Sequence, residues 1–379
     1  MKYFDNCATT PIDQQVLDLM YKTQQTDFYN PSSLYRVSNA IHAKLNKVRE
    51  TIADIIGAES NEILFTSGGT ESNNLALFGS LRNKKGTIIT SKVEHASVYN
   101  SINELKNRGF DVVYAPINKD GSVKTENFED LIDENTVMVA LMHVNNETGA
   151  INDIKTLCSK TKNKNKNCLF FCDGVQSFCK INANVKNLGV DFYSMSAHKI
   201  HGPKGVGALY IAKNTNINPI IYGGGQENKL RSGTENVAGI IGFGKAAEIA
   251  NELISQNSAK YLEFKTIFND TIFDIVQNIM PISTKNGAPN VLTLAFKNIK
   301  SEVVLHMLEP KGFFVGNGSA CSSKQLYSRL AMELNLPKDY AEGIIRICFS
   351  KYNTHEDVKQ LAQTLGNTIN TLRKIMGVK

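Results

Sequence analysis

No two of the seven cysteines are spaced as C-x-x-C, and their number is odd. Neither a zinc module nor a closed disulfide framework is therefore expected, and free thiols in a reducing compartment are. No run of about 18 uncharged apolar residues occurs, which excludes a membrane-spanning helix. The first 13 residues hold Asp5 and Asp13 and no apolar signal core, so the expected location is the cytoplasm. Charge asymmetry is slight as well. The balance of 42 Lys+Arg against 36 Asp+Glu leaves +6 over 379 residues, too little to suggest direct binding of nucleic acid or an anionic membrane. The densest basic run, Lys160 to Lys166, alternates with Asn and Thr and reads as a solvated helix end. Repeats and low-complexity tracts are absent, and arginine is scarce, eight in all, so each is a candidate for a specific task.

What is present is ample core material, 42% hydrophobic residues against 21% charged, in a chain long enough for two domains. Val37, Ala40, Ile41, Leu45, Val48, Ile52 and Ile55 recur at helical spacing and stop at Gly57. Short β-rich runs follow at 62–66, 87–91, 111–114, 136–142, 168–173, 191–196 and 206–212, with helical patterns between most of them. This alternation predicts an α/β fold with a buried, mostly parallel central sheet flanked by helices. A long helical pattern from about 235 to 273 follows. Beyond it, strands at 290–296 and 344–349 and helices near 301–308, 326–334 and 356–373 predict a smaller α+β domain. The expected division is 14–255 for the large domain, and 1–13 with 256–379 for the small one.

In open α/β sheets ligands lie beyond the carboxyl ends of the strands, so residues at those ends are the candidates for chemistry. The run at 62–66 leads into Ser67-Gly68-Gly69-Thr70-Glu71-Ser72, which suits either a phosphate cradle or a plain helix N-cap. No Gly-Lys-Ser/Thr follows, so it is not a Walker A loop. Gly242-Phe243-Gly244 lies inside a helical pattern and reads as close helix packing. Asp173 ends an apolar strand, where an ionised carboxylate needs a cation or hydrogen bonds, unless it is a helix cap. Ser196-Ala197-His198-Lys199 ends another. A lysine there can bind an aldehyde if its surroundings lower the amine pKa. Anion cradle, strand-end carboxylate and lysine 26 residues later together fit pyridoxal 5'-phosphate (PLP): phosphate in the cradle, Asp on the pyridine nitrogen, Lys on the aldehyde.

With these residues the chain resembles a cysteine desulfurase of the NifS/IscS type, in the class-V aminotransferase superfamily of fold-type-I PLP transferases. The resemblance runs through Asp5 to Pro11, Asn30 to Ser33, Ser67 to Ser72, His143 to Gly149, Asp173 to Gln176, Ser196 to Gly205, Arg231 to Thr234, Gly318 to Cys321 and Ile345-Arg346. It implies that Gly69, Thr70, Ser196 and His198 bind the phosphate, with Thr234 reaching it from the other subunit of a homodimer. His95, otherwise readable as a capping or core residue, stacks on the pyridine ring. Asn146 and Gln176 contact the ring oxygen or substrate region, and Arg346, assisted by Asn30, clamps the substrate carboxylate. No metal is expected.

The activity implied is conversion of L-cysteine to L-alanine, with Lys199 moving the α-proton, His95 shuttling another, and Cys321 taking the sulfur as a persulfide. Cys321 follows Gly316-Asn317-Gly318-Ser319-Ala320, a stretch expected to be too small and flexible for a rigid core element. Cys158, Cys168, Cys172 and Cys348 read as small buried hydrophobes, and Cys179 is open to either reading. The implied sulfur acceptor is a protein of iron–sulfur assembly or tRNA thiolation. Rival readings are selenocysteine lyase or another class-V PLP enzyme and, from a different class, a non-catalytic assembly protein on this fold. Cys7 departs from the family, which usually has alanine there.

Overall fold

The structure, a computed structural model, describes residues 1–317 and 328–378. In chain order its strands are β1 (Lys2–Phe4), β2 (Ile63–Thr66), β3 (Thr87–Thr90), β4 (Asp111–Tyr114), β5 (Thr136–Met142), β6 (Leu169–Asp173), β7 (Phe192–Ser196), β8 (Gly207–Ile211), β9 (Ile279–Pro281), β10 (Val291–Phe296), β11 (Phe313–Asn317) and β12 (Ile344–Cys348). They form two sheets.

The larger has the order β2-β8-β7-β6-β5-β3-β4. Neighbours from β4 to β7 run parallel, and β8 is antiparallel to both β7 and β2. The carboxyl ends of β2, β3, β5, β6 and β7 therefore share one edge. Helices cover both faces, so β5 and β6 are near-continuous apolar runs rather than alternating ones. Ile89, Val139 and Phe170 pack into one core, and Ile88, Ala140 and Phe171 into the other. The helix Arg36–Ile56 closes at Gly57, whose φ of 68° lies in the left-handed region that a Cβ disfavours. Gly242 and Gly244 do lie in a helix, Val237–Glu252, where added Cβ atoms would meet Met20 and Val48.

The smaller sheet has the order β1-β11-β12-β10-β9 and packs on the helices Ile254–Ile275 and His355–Met376 through Phe264, Phe268, Phe296 and Leu365. Three of its strands, β1, β9 and β11, went unread in the sequence. Two are three residues long, too short to show alternation, and β11 ends in Gly316 and Asn317. Those two residues correct an expectation. They belong to a strand of the sheet, paired with Arg346 and Ile345, and a Cβ on Gly316 would come within 2.6 Å of Asp5 Oδ1 and 2.9 Å of Arg346 Nε. Glycine here serves close approach, not looseness.

The long helix expected from about 235 is two helices, broken at Leu253 (φ −98°, ψ 0°). The apolar pattern continues across the break and hides it from periodicity. Among the basic residues at 160–166, Lys160 and Lys162 are ion-paired with Glu129 and Asp191 at 2.6 Å, so that helix end is tied down rather than simply solvated. No helix among the described residues is long and apolar enough to cross a membrane.

Candidate active site

At the shared strand edge lies a cavity of about 340 Å³. Gly69, Thr70, His95, Asn146, Asp173, Gln176, Ser196, His198, Lys199 and Arg346 all border it. Residues 69 to 199 converge here because the parallel strands they follow end at this edge, and Arg346 joins them from β12 of the smaller sheet, 277 residues after Gly69. Asn30 and Thr234 are exposed and do not border the cavity, and Cys321 lies outside the described residues. Asn30 Oδ1 instead accepts from the Ser32 N–H at 2.9 Å.

The glycine turn after β2 approaches β8 so closely that a Cβ on Gly207 would stand 2.7 Å from Gly68 Cα. Gly68 itself has φ 149°, a conformation that L side chains rarely adopt. Beside this turn, Ser196 Oγ is buried without a hydrogen-bond partner, a donor free for an anion. Next to it the His198 ring, held by Thr9 Oγ1 at 3.0 Å, has its pKa pushed down to about 4 by burial and by the Lys199 charge. It is therefore neutral at pH 7.

Asp173 is 5% exposed. Its carboxylate accepts from Asn73 Nδ2 at 2.8 Å, the Val175 N–H at 3.0 Å and Ser194 Oγ at 3.4 Å. All three donors are uncharged, so a cation entering the cavity would still gain from this carboxylate. Lys199 Nζ donates to the carbonyls of Cys7 and Ala8, each at 2.7 Å. Burial, then the like charge of Lys180, pushes its pKa down to about 8, so about a tenth of it is neutral amine at pH 7, far more than for an ordinary lysine.

His95 does two jobs. Its Nδ1 accepts from the Ser97 N–H at 3.2 Å and caps the helix Ala96–Asn107, which leaves the proton of the neutral ring on Nε2. The same ring borders the cavity, and burial lowers its pKa despite the nearby Asp173. Arg346, 8% exposed, donates to Asn146 O at 2.7 Å and to Asp5 Oδ1 at 2.6 Å, while its Nε has no partner. A guanidinium has five donors, so the fork is oriented by two bonds with donors left for an incoming carboxylate.

Several residues of this site escaped sequence reasoning. Asn73 holds Asp173, Asp5 holds Arg346, and the backbone of Cys7 and Ala8 receives Lys199. Asn73 follows the glycine turn directly, a position that could have flagged it. A backbone carbonyl leaves no sequence signal. Cys7 is buried, as are Cys158, Cys168, Cys172, Cys179 and Cys348, and all six are free thiols.

Cradle, unpaired Ser196 hydroxyl, buried carboxylate and depressed lysine fit the phosphate, pyridine nitrogen and aldehyde of PLP. Comparison with known proteins agrees with this geometry. The model of the family "Aminotransferase class-V" matches residues 2–361. A "Cysteine desulfurase IscS" of Dictyoglomus turgidum is 40% identical, over 100% of this chain and 96% of that protein. A solved structure described as a NifS-like protein superposes with a TM-score of 0.92 at 35% identity, covering 98% of this chain and 99% of the other. Another, "SspA in complex with cysteine", gives 0.81 at 33% identity, covering 93% and 100%. With its site residues gathered at one sheet edge and its similarity running end to end, the chain belongs to the class-V aminotransferase family, among the IscS and NifS-like proteins.

Proposed function

We propose that this protein is a PLP-dependent cysteine desulfurase, converting L-cysteine to L-alanine and passing the sulfur on through a persulfide on Cys321. The observation that carries the reading is Lys199 with a pKa near 8, at the end of β7, in one cavity with the buried Asp173 and the oriented Arg346. The end-to-end similarity to cysteine desulfurases supports the choice of substrate.

Gly69, Thr70, Ser196 and His198 would hold the phosphate, Asp173 would take the ring nitrogen, and His95, Asn146 and Gln176 would contact the ring. When bound, PLP supplies an electron-withdrawing ring that acidifies the Cα proton of an attached amino acid. Lys199 Nζ, neutral in part at pH 7, is the base at that proton. Arg346 orients the substrate carboxylate through its remaining donors. His95 is neutral with its proton on Nε2, ready to move a proton at the substrate or the attacking thiol. The Cys321 thiolate would attack the substrate sulfur, the S–S bond forming as the Cβ–S bond breaks. The bonding pair stays with the carbon skeleton, which takes up a proton at Cβ and leaves as alanine.

Residues 14–255 form the cofactor-holding unit, and 1–13 with 256–379 the unit that carries Arg346 and Cys321. A cytoplasmic homodimer completes the proposal, Thr234 reaching the phosphate of the other subunit and Asn30 assisting Arg346 at the substrate carboxylate. Phe28, Leu34, Tyr35 and Tyr222 are exposed apolar side chains that a second copy could cover. The sulfur goes to an acceptor protein of iron–sulfur assembly or tRNA thiolation.

The test is alanine release from L-cysteine by the purified, PLP-loaded protein, with L-selenocysteine in parallel. Alanine from selenocysteine alone would replace this reading by a selenocysteine lyase. Arg346→Ala is expected to raise KM for L-cysteine by about ten- to hundredfold, the loss of ~1.5–3 kcal/mol of charged hydrogen bonds. Steady-state kinetics decide, and an unchanged KM would place the carboxylate elsewhere.

A further inference from the structure

Lys180 is a lysine that the reaction above does not use. Its Nζ donates to Gln176 Oε1 at 2.7 Å, and Gln176 Nε2 donates to the Cys7 carbonyl at 3.0 Å. Lys199 Nζ donates to that same carbonyl. An ammonium can only donate and a carbonyl can only accept, so the amide between them has one orientation. Its oxygen faces Lys180 and its nitrogen faces Cys7 and the cavity. Lys180 and Lys199 also both border a second, smaller cavity of about 50 Å³, so the two residues meet at one space as well as through the amide.

We propose that Lys180 is a positioning residue for Lys199, its half-buried charge standing against the Lys199 ammonium while its hydrogen bond fixes the Gln176 amide that shares the Cys7 carbonyl. Lys180 meets an amide oxygen here rather than a carboxylate, so its charge is not cancelled at its hydrogen-bond partner. Among the charges facing Lys199, Lys180 and Arg346 disfavour its protonation, Cys7 and Asp5 favour it, and His95 and His198 lie close by. Of these, Lys180 is the strongest. An amine beside another cation loses its proton more readily, and only the neutral amine attacks an aldehyde. Lys180 thus tunes the reactive amine from outside the cofactor cavity.

The inference rests on Lys199 being the reactive amine, yet its test needs neither cofactor nor turnover. The apoprotein is labelled with trace acetic anhydride from about pH 6 to about pH 10, and acetylation of Lys199 is followed by peptide mass spectrometry, with exposed Lys204 as internal control. Removing the charge shifts the Lys199 profile to higher pH. In Lys180→Met and Lys180→Gln the label at pH 8 is expected to fall by about three- to tenfold, while Lys180→Arg stays at the wild-type profile. Lys180→Gln can still donate to Gln176, so it separates charge from hydrogen bond and decides the matter if Lys180→Met does not fold. Neutral variants with the wild-type profile, or an arginine variant shifted as far as they are, would overturn the proposal. Failure of the desulfurase reading would show instead as absent alanine with the labelling shift intact.

Discussion

Lys199→Ala is expected to lower alanine formation from L-cysteine by about 10²–10⁴-fold or more, since it removes both the aldehyde-binding amine and the base. Borohydride reduction of the PLP-loaded wild type, followed by peptide mapping, is expected to place the pyridoxyl group on Lys199. Among the described residues, no other lysine borders the cavity. Lys180 is engaged with Gln176, and Lys204 is exposed. The phosphate cradle, Asp173 and His95 are untouched by the change, so the variant still takes up PLP without covalent capture, visible as free-aldehyde absorbance that gel filtration does not remove. A reduced label on Lys180 or Lys204, or wild-type turnover in the variant, would reject the assignment. The pH dependence has a definite sign. With a pKa near 8, the neutral amine of the apoprotein becomes scarcer as pH falls, so PLP capture slows from pH 8 towards pH 6.

Cys321→Ser is expected to bind PLP and L-cysteine as the wild type does and to form almost no alanine and no persulfide. A thiol ionises at about pH 8.5, and a modest depression makes the thiolate abundant at neutral pH. A serine hydroxyl has no comparable route and cannot store sulfur as a persulfide. Mixing the variant with L-cysteine should therefore still perturb the cofactor absorption band, because Lys199, Asp173 and Arg346 are intact. Chemistry stops at the Cβ–S bond. Alanine release at the wild-type rate would show that another nucleophile, or none, takes the sulfur. Loss with cysteine but retention with selenocysteine would favour the lyase, since selenium leaves such a substrate without an essential attacking thiol. Of the six described cysteines, all buried, only Cys7 borders the cavity, so any residual activity would point to Cys7 first.

The large sheet was legible because its strands are buried on both faces and so read as unbroken apolar runs bounded by polar turns. β4 and β5 begin and end where the residues indicated, and the other runs agree within about two residues at each end. Strand ends were legible as chemistry for a related reason: Asp173 and Lys199 each follow an apolar run at which a charge needs an explanation. His95 shows the opposite case. Sequence reasoning set a capping histidine against an active-site histidine as alternatives, and the ring does both, Nδ1 inward to Ser97 and the rest to the cavity.

What the sequence by itself determined was the order of strands and helices, the mostly parallel sheet and the side chains capable of holding PLP. These follow from local patterns: burial on two faces, a glycine turn, a charged residue closing an apolar run. Tertiary structure alone decided how those side chains are held. Asp5 meets Arg346 across 341 residues at 2.6 Å, a contact that needs Gly316 between them to have no Cβ. Lys199 meets two carbonyls near the N-terminus, and its amine is tuned by Lys180 on a separate turn. Protonation depends on burial and on charges brought close by folding, which no local pattern encodes. Backbone carbonyls are the same in every residue, so their role as partners arises only where the chain places them.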